Sequence, residues 1–139
     1  MFGGNSNDAS YNCVHVLDTE TWEWTTPITV GASPAVRTGH QAIRYDSNHM
    51  LVYGGWDYHD EEEVVIHDDV FMLNIQSWEW HQLSVRGLGL GPRVGCSVVA
   101  LESRSGDTIA CVFGGQGNDS KYHDDLSYFN PDWTATTTD

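Results

Sequence analysis

Basic residues are scarce in this 139-residue sequence: six Lys and Arg stand against 20 Asp and Glu, a formal charge of -14. So few cations cannot neutralise phosphate, so neither nucleic acid nor an anionic membrane is expected as a partner. The surplus of carboxylates favours solubility and permits a protein partner that carries a basic segment. Cysteine is almost as sparse. Cys13, Cys96 and Cys111 are odd in number, widely spaced and free of any CxxC pair, which argues against a disulfide framework or a zinc site. Free thiols suit a reducing compartment, and the cytoplasm is the expected one. No signal peptide is visible, and no apolar run approaches the roughly 18 residues of a membrane helix. Sustained helical periodicity with caps is missing as well.

Aromatics and glycine are abundant: six Trp, six Tyr, four Phe and 14 Gly. Many short apolar runs punctuated by glycine indicate an all-β chain. Double glycines end three of these runs, in "MFGG" (Met1–Gly4), "LVYGG" (Leu51–Gly55) and "CVFGG" (Cys111–Gly115). Downstream, "VHVLDTETWEW" (Val14–Trp24) aligns without gaps with "VFMLNIQSWEW" (Val70–Trp80), 56 residues away. "DDVFMLN" and "DDLSYFN" are also 56 residues apart, as are "RTGH" (Arg37–His40) and "RVGC" (Arg93–Cys96). The glycine pairs themselves are 51 and 60 residues apart, so strand positions keep register while the connections vary in length.

One unit reads as four strands. Strand a follows Arg-x-Gly, strand b ends on the double glycine, strand c is "DVFMLN" and its copies, and strand d starts near the second Trp of "WEW". "DSNH" and "ESRSGD" supply hairpin turns between a and b. The stretch "DEEEVVIHD" (Asp60–Asp68) lies between strands b and c, and its position predicts an extended loop rather than a helix.

This ordered set resembles the kelch repeat. The residues that carry the resemblance are Gly3, Gly4, Gly54, Gly55, Gly114 and Gly115 with Phe2, Tyr53 and Phe113 before them; Asp69 and Asp125 opening strand c; Trp24, Trp80 and Trp133; and Arg37/Gly39 with Arg93/Gly95. The resemblance covers nearly the whole chain. It implies four-stranded antiparallel blades of a β-propeller. Residues 1–30 would form strands b to d of a first blade, 35–87 a complete blade, and 92–139 a third whose last strand is short. Fewer than three blades leave end faces uncovered. A fragment of a larger propeller is therefore expected, with further blades from the rest of the protein or from other chains.

The repeated residues read as structural. Glycine lets strand b turn sharply out of a crowded core. Trp22, Trp24, Trp78, Trp80 and Trp133 read as packing residues. Arg37 and Arg93 read as ties between strands, through backbone carbonyls or a carboxylate.

Residues that break the repeat are better functional candidates. Trp56 has no Trp counterpart after Gly4 or Gly115, and it opens the longest b–c connection: 14 residues (Trp56–Asp69), against 9 (Asn5–Cys13) and 10 (Gln116–Asp125). In the resembled propellers the b–c and d–a connections share the face that binds partners. That face would display Trp56, Tyr58, His59, Asp60, Glu61, Glu62 and Glu63, joined by Asn118, Lys121, Tyr122 and His123 from the next unit. Aromatics rimmed by carboxylates suit a Lys- or Arg-bearing protein. "HDD" occurs twice, at His67–Asp69 and His123–Asp125, but at a point where the repeat needs turn-forming polar groups. No Ser-His-Asp set sits in a GxSxG motif. The expected function is a non-catalytic protein-interaction module, scaffold or adaptor, without cofactor or metal. The alternative is a piece of a metal-dependent propeller enzyme with its ligands in other blades.

Overall fold

The computed structural model describes residues 1–60, 63–85 and 90–131. Every regular element among them is a strand. In chain order these are β1 (Phe2–Asn5), β2 (Ser10–Val14), β3 (Val16–Leu17), β4 (Trp24–Thr25), β5 (Val30–Gly31), β6 (Gln41–Arg44), β7 (His49–Tyr53), β8 (Trp56–Asp60), β9 (Glu63–Ile66), β10 (Val70–Asn74), β11 (Glu79–Leu83), β12 (Ser97–Glu102), β13 (Thr108–Phe113) and β14 (Leu126–Phe129).

The second unit forms the central sheet. Its strands lie in the order β6, β7, β10, β11, all antiparallel, which is a to d from one edge to the other. β5 joins the d edge in parallel as a fifth strand, through Val30 opposite Glu79. The third unit gives β12, β13 and β14 in the same antiparallel order. Its Trp133 lies outside the described residues. The first unit contributes the β1–β2 hairpin and the small β3–β4 pair.

Alternation along the central strands sends successive side chains to opposite faces, and both faces are buried. Leu51, Tyr53, Val70 and Met72 pack on Val98, Ala110, Val112 and Phe129 of the third unit. Val52, Phe71, Leu73 and Trp80 pack on Phe2 and Val14 of the first. This explains why "LVY" and "VFML" are continuous apolar runs and not alternating ones. A sheet covered on both sides needs apolar residues at every position.

The double glycines meet a steric requirement. Gly54 has φ +68° and Gly55 φ +90°, in the left-handed region. A methyl group on Gly54 would press into the Arg93 carbonyl oxygen, and one on Gly55 would lie 2.8 Å from the Thr38 carbonyl oxygen. Gly54→Ala is therefore expected to cost at least the roughly 1–3 kcal/mol of a strained backbone. Urea unfolding of the variant would check this, and a loss under 0.5 kcal/mol, roughly that of an ordinary surface substitution, would refute it.

Two expectations need correction. The 56–69 stretch is not a plain extended loop. It folds as a second hairpin, in which Trp56 pairs with Ile66, Asp57 with Val65 and Tyr58 with Val64. The β-branched Val64, Val65 and Ile66 opposite two aromatics favour strand pairing over open coil. The tryptophans also divide. Trp80 is 1% exposed, but Trp24 is 57% exposed and Trp22 72%. Trp80 packs on Phe2 from the neighbouring unit, whereas Trp24, at the same repeat position, lines an open cleft with Val14, Met50 and Trp78 and stays in contact with solvent. The repeat fixes where a side chain points, and the neighbouring unit decides whether it is buried.

Candidate functional site

Each Arg-x-Gly segment staples neighbouring units together. The Gly4 N–H donates to the Arg37 carbonyl (2.9 Å) and the Gly55 N–H to the Arg93 carbonyl (2.8 Å). The side chains turn the other way, into their own unit. Arg37 Nη1 donates to the Gly54 carbonyl at 3.0 Å, and the guanidinium makes a two-pronged pair with Asp69, at 2.6 and 3.1 Å. Arg93 repeats this with the Gly114 carbonyl at 3.0 Å and with Asp125 at 2.9 and 2.8 Å. Arg37 is fully buried and Arg93 is 3% exposed. The fork geometry satisfies a buried guanidinium and holds the b–c connection at a fixed angle. Hydrogen bonds from Arg93, then from Ser127, hold the Asp125 carboxyl well below the usual carboxylate range.

Both "HDD" motifs are divided by these clamps, because Asp69 and Asp125 serve the arginines. Among the described residues, no group of three or more His, Cys, Asp and Glu is placed to hold a metal ion. His40 and His67 lie inside the staple region. Burial lowers the pKa of both, and the Arg37 cation lowers it further. Their folded pKa values lie below the unfolded ones, so the neutral rings contribute stability above the unfolded pKa, and acid removes it. Stability is expected to fall as the pH drops below about 6.5, the ordinary histidine value, towards the folded pKa values. Urea titrations at pH 7.5 and 5.5 would check this: His40→Asn should flatten the difference, and an unchanged slope would refute the role of His40.

The b–c hairpins rise beside these clamps. The Thr38 and Trp56 backbones exchange N–H donors at 2.9 and 2.8 Å, which fixes the root of the β8–β9 hairpin. Trp56 and Tyr58 meet edge to face, with ring centroids 4.9 Å apart. They separate two clefts. One, of about 430 Å³, lies towards the Asn5–Ser10 turn of the first unit and is mostly polar. The other, of about 400 Å³, lies between the hairpin and the third unit. Its walls are Trp56, Tyr58, Val64 and Ile66 on one side, and Val94 with the 116–120 loop on the other.

The candidate residues are thus brought together only in part. Trp56 is half-buried and Tyr58 is 58% exposed. His59, Asp60 and Glu63 belong to the hairpin strands, while Glu61 and Glu62 lie outside the described residues. Tyr122 is 82% exposed. Lys121 reaches Asp119 at 2.9 Å in full solvent, and His123 sits half-buried with its ring over Gly117. Lys121 and Tyr122 do not line the 400 Å³ cleft, whereas Val64, Ile66, Val94 and Gln116 do. The mirrored spacing of Trp-x-Tyr and Val-x-Ile around a turn is the sequence signal that would have revealed Val64 and Ile66.

A family model described as "KLHDC2/KLHL20/DRC7 Kelch-repeats domain" matches residues 1–138. This chain belongs to the kelch-repeat family. Its all-β sheets are those of partial kelch blades. The kelch chain is 36% identical to Kelch domain-containing protein 2 of Bos taurus over 121 residues, 86% of this chain and 27% of that protein. It is 31% identical to the Rab9 effector protein with kelch motifs of Rattus norvegicus over 128 residues, 91% of this chain and 32% of that protein. It is 30% identical to Acyl-CoA-binding domain-containing protein 4 of Arabidopsis thaliana over 102 residues, 73% of this chain and 14% of that protein. The kelch chain thus spans a third or less of the length of these relatives.

Proposed function

We propose that this kelch chain is a non-catalytic protein-interaction module that binds its partner through the b–c and d–a connections. The observation that carries this reading is the β8–β9 hairpin. It breaks the repeat, stands on a rigid clamp and presents Trp56 and Tyr58 between two clefts. Rigid scaffolds that display variable loops are how repeat folds bind proteins, and exposed aromatics are common anchors at such surfaces. A protein partner is also what the name of the related Rab9 effector states for that protein. Basic segments on the partner would complement the -14 charge. Other kelch blades, from the same protein or another chain, would cover the exposed face of the third blade, where Val99, Leu101, Phe113 and Tyr128 are each about half or more exposed.

A photo-cross-linking side chain at Tyr58 or Tyr122 is expected to capture the same polypeptide in cells. The same group at Arg104, in an a–b turn at the opposite ends of the strands, should not. Trp56→Ala should abolish capture while costing less than about 1 kcal/mol of stability. Capture from Arg104 alone would sink the reading, and unfolding by Trp56→Ala would show the hairpin to be part of the core.

A further inference from the structure

The β8–β9 hairpin has an unpaired edge, and its direction follows from its root. Trp56 exchanges both backbone bonds with Thr38, so its N–H and C=O point away from β9. In an antiparallel ladder the bonding direction alternates along each strand. Asp57 and Val65 are therefore the hydrogen-bonded pair, and Val64 and Ile66 turn their backbone groups outward from β9. Among the described residues, β9 pairs only with β8, and no other backbone group meets Val64 or Ile66 on that side. Val64 and Ile66 of this strand also line the 400 Å³ cleft. Side-chain alternation places Trp56, Tyr58, Val64 and Ile66 on one face of the hairpin and Asp57 with Val65 on the other.

An open strand edge beside a cleft whose hairpin wall is apolar is a docking geometry for an extended chain. Main-chain bonds supply affinity and alternate side chains supply selectivity. The electrostatics select the occupant. Residues 56–68 hold six Asp and Glu and no Lys or Arg, and Asp69, which follows them, is taken up by Arg37. Two of the six cations in the chain, Arg37 and Arg93, are buried in clamps of their own.

We infer that the outer edge of β9 takes up an extended segment of a partner protein as an added strand. The segment alternates apolar residues, directed into the cleft against Val64 and Ile66, with Lys or Arg on the Asp57 face. This rests on the interaction-module reading and specifies how its hairpin engages a partner.

The test uses the 139-residue chain and the peptide acetyl-(Lys-Val)4-amide. Binding should shift the amide resonances of Val64, Ile66 and residues 116–120. The corresponding (Glu-Val)4 peptide should not bind. Methylating the backbone nitrogens of either all the valines or all the lysines gives two further probes. In an added strand only one of these sets faces β9, so one methylated peptide should lose at least about tenfold in affinity and the other should keep it. Val64→Pro removes an outward N–H without touching the β8–β9 ladder, and it should weaken binding similarly. Equal loss or equal retention for the two methylated peptides would overturn strand addition. If binding then still mapped to Trp56 and 116–120, the interaction face would survive as a side-chain site. Shifts confined to the exposed face of the third blade would overturn both readings. No binding at about 1 mM peptide would overturn the inference, leaving the cross-linking result to decide the face on its own.

Discussion

Trp80→Ala is expected to destabilise the chain by about 3–5 kcal/mol, the range for deleting a buried large aromatic. Trp80 is 1% exposed, with its ring 5.1 Å from Phe2 and 6.5 Å from Phe71. It fills the junction between the first and second blades, so its loss opens a cavity and removes a tie between blades. Its indole N–H is buried without a hydrogen-bond partner. Trp80→Phe should therefore cost much less, because part of the lost packing is offset by removing an unsatisfied donor. Trp24→Ala is the control. The residue type and repeat position are the same, but Trp24 is 57% exposed, and the expected change is within about 0.5 kcal/mol. Urea unfolding of the three variants would check the set. Equal losses for Trp80→Ala and Trp24→Ala would mean that Trp24 is covered in solution.

Asp69→Ala is expected to cost about 3 kcal/mol, because it leaves the Arg37 guanidinium buried with no counter-charge. The matching Asp125→Ala should cost less. The two clamps share their geometry, but the Asp125 side chain is 46% exposed and that of Asp69 is 23% exposed, so solvent screens the second pair more. Asp69→Asn keeps an acceptor for one arm of the fork and should fall between wild type and Asp69→Ala. Arg37→Met combined with Asp69→Leu compares the ion pair with an apolar replacement and should recover part of the loss. A chemical-denaturation cycle over Arg37 and Asp69 would measure the coupling, and a value near zero would show that the clamp positions the chain without stabilising it.

The kelch architecture was legible because its constraints are local and repeated. Glycine pairs mark where φ must be positive, and Gly54 and Gly55 have it. The recurrence of Arg37 and Arg93 at one offset marked them as ties between strands, and the structure supplied the carboxylates they meet, Asp69 and Asp125. The β8–β9 hairpin was less legible. Its carboxylate run hides a short period-2 pattern, and the pairing partner of Val64 is decided across the turn and not beside it. The edge of β9 was invisible for the same reason, since an unpaired backbone has no signature in residue type.

The sequence by itself determined the strand order within each unit, the sharp turns after strand b, the kelch family and the acidic character of the longest connection. These follow from sterics and charge that each residue carries wherever it is placed. Only the tertiary structure decided which of two equivalent tryptophans is buried, which carboxylates neutralise the arginines in the interior, and that a cleft opens between one hairpin and the next blade. Those outcomes depend on what stands opposite a side chain, and in a stack of repeated units that is set by the neighbour.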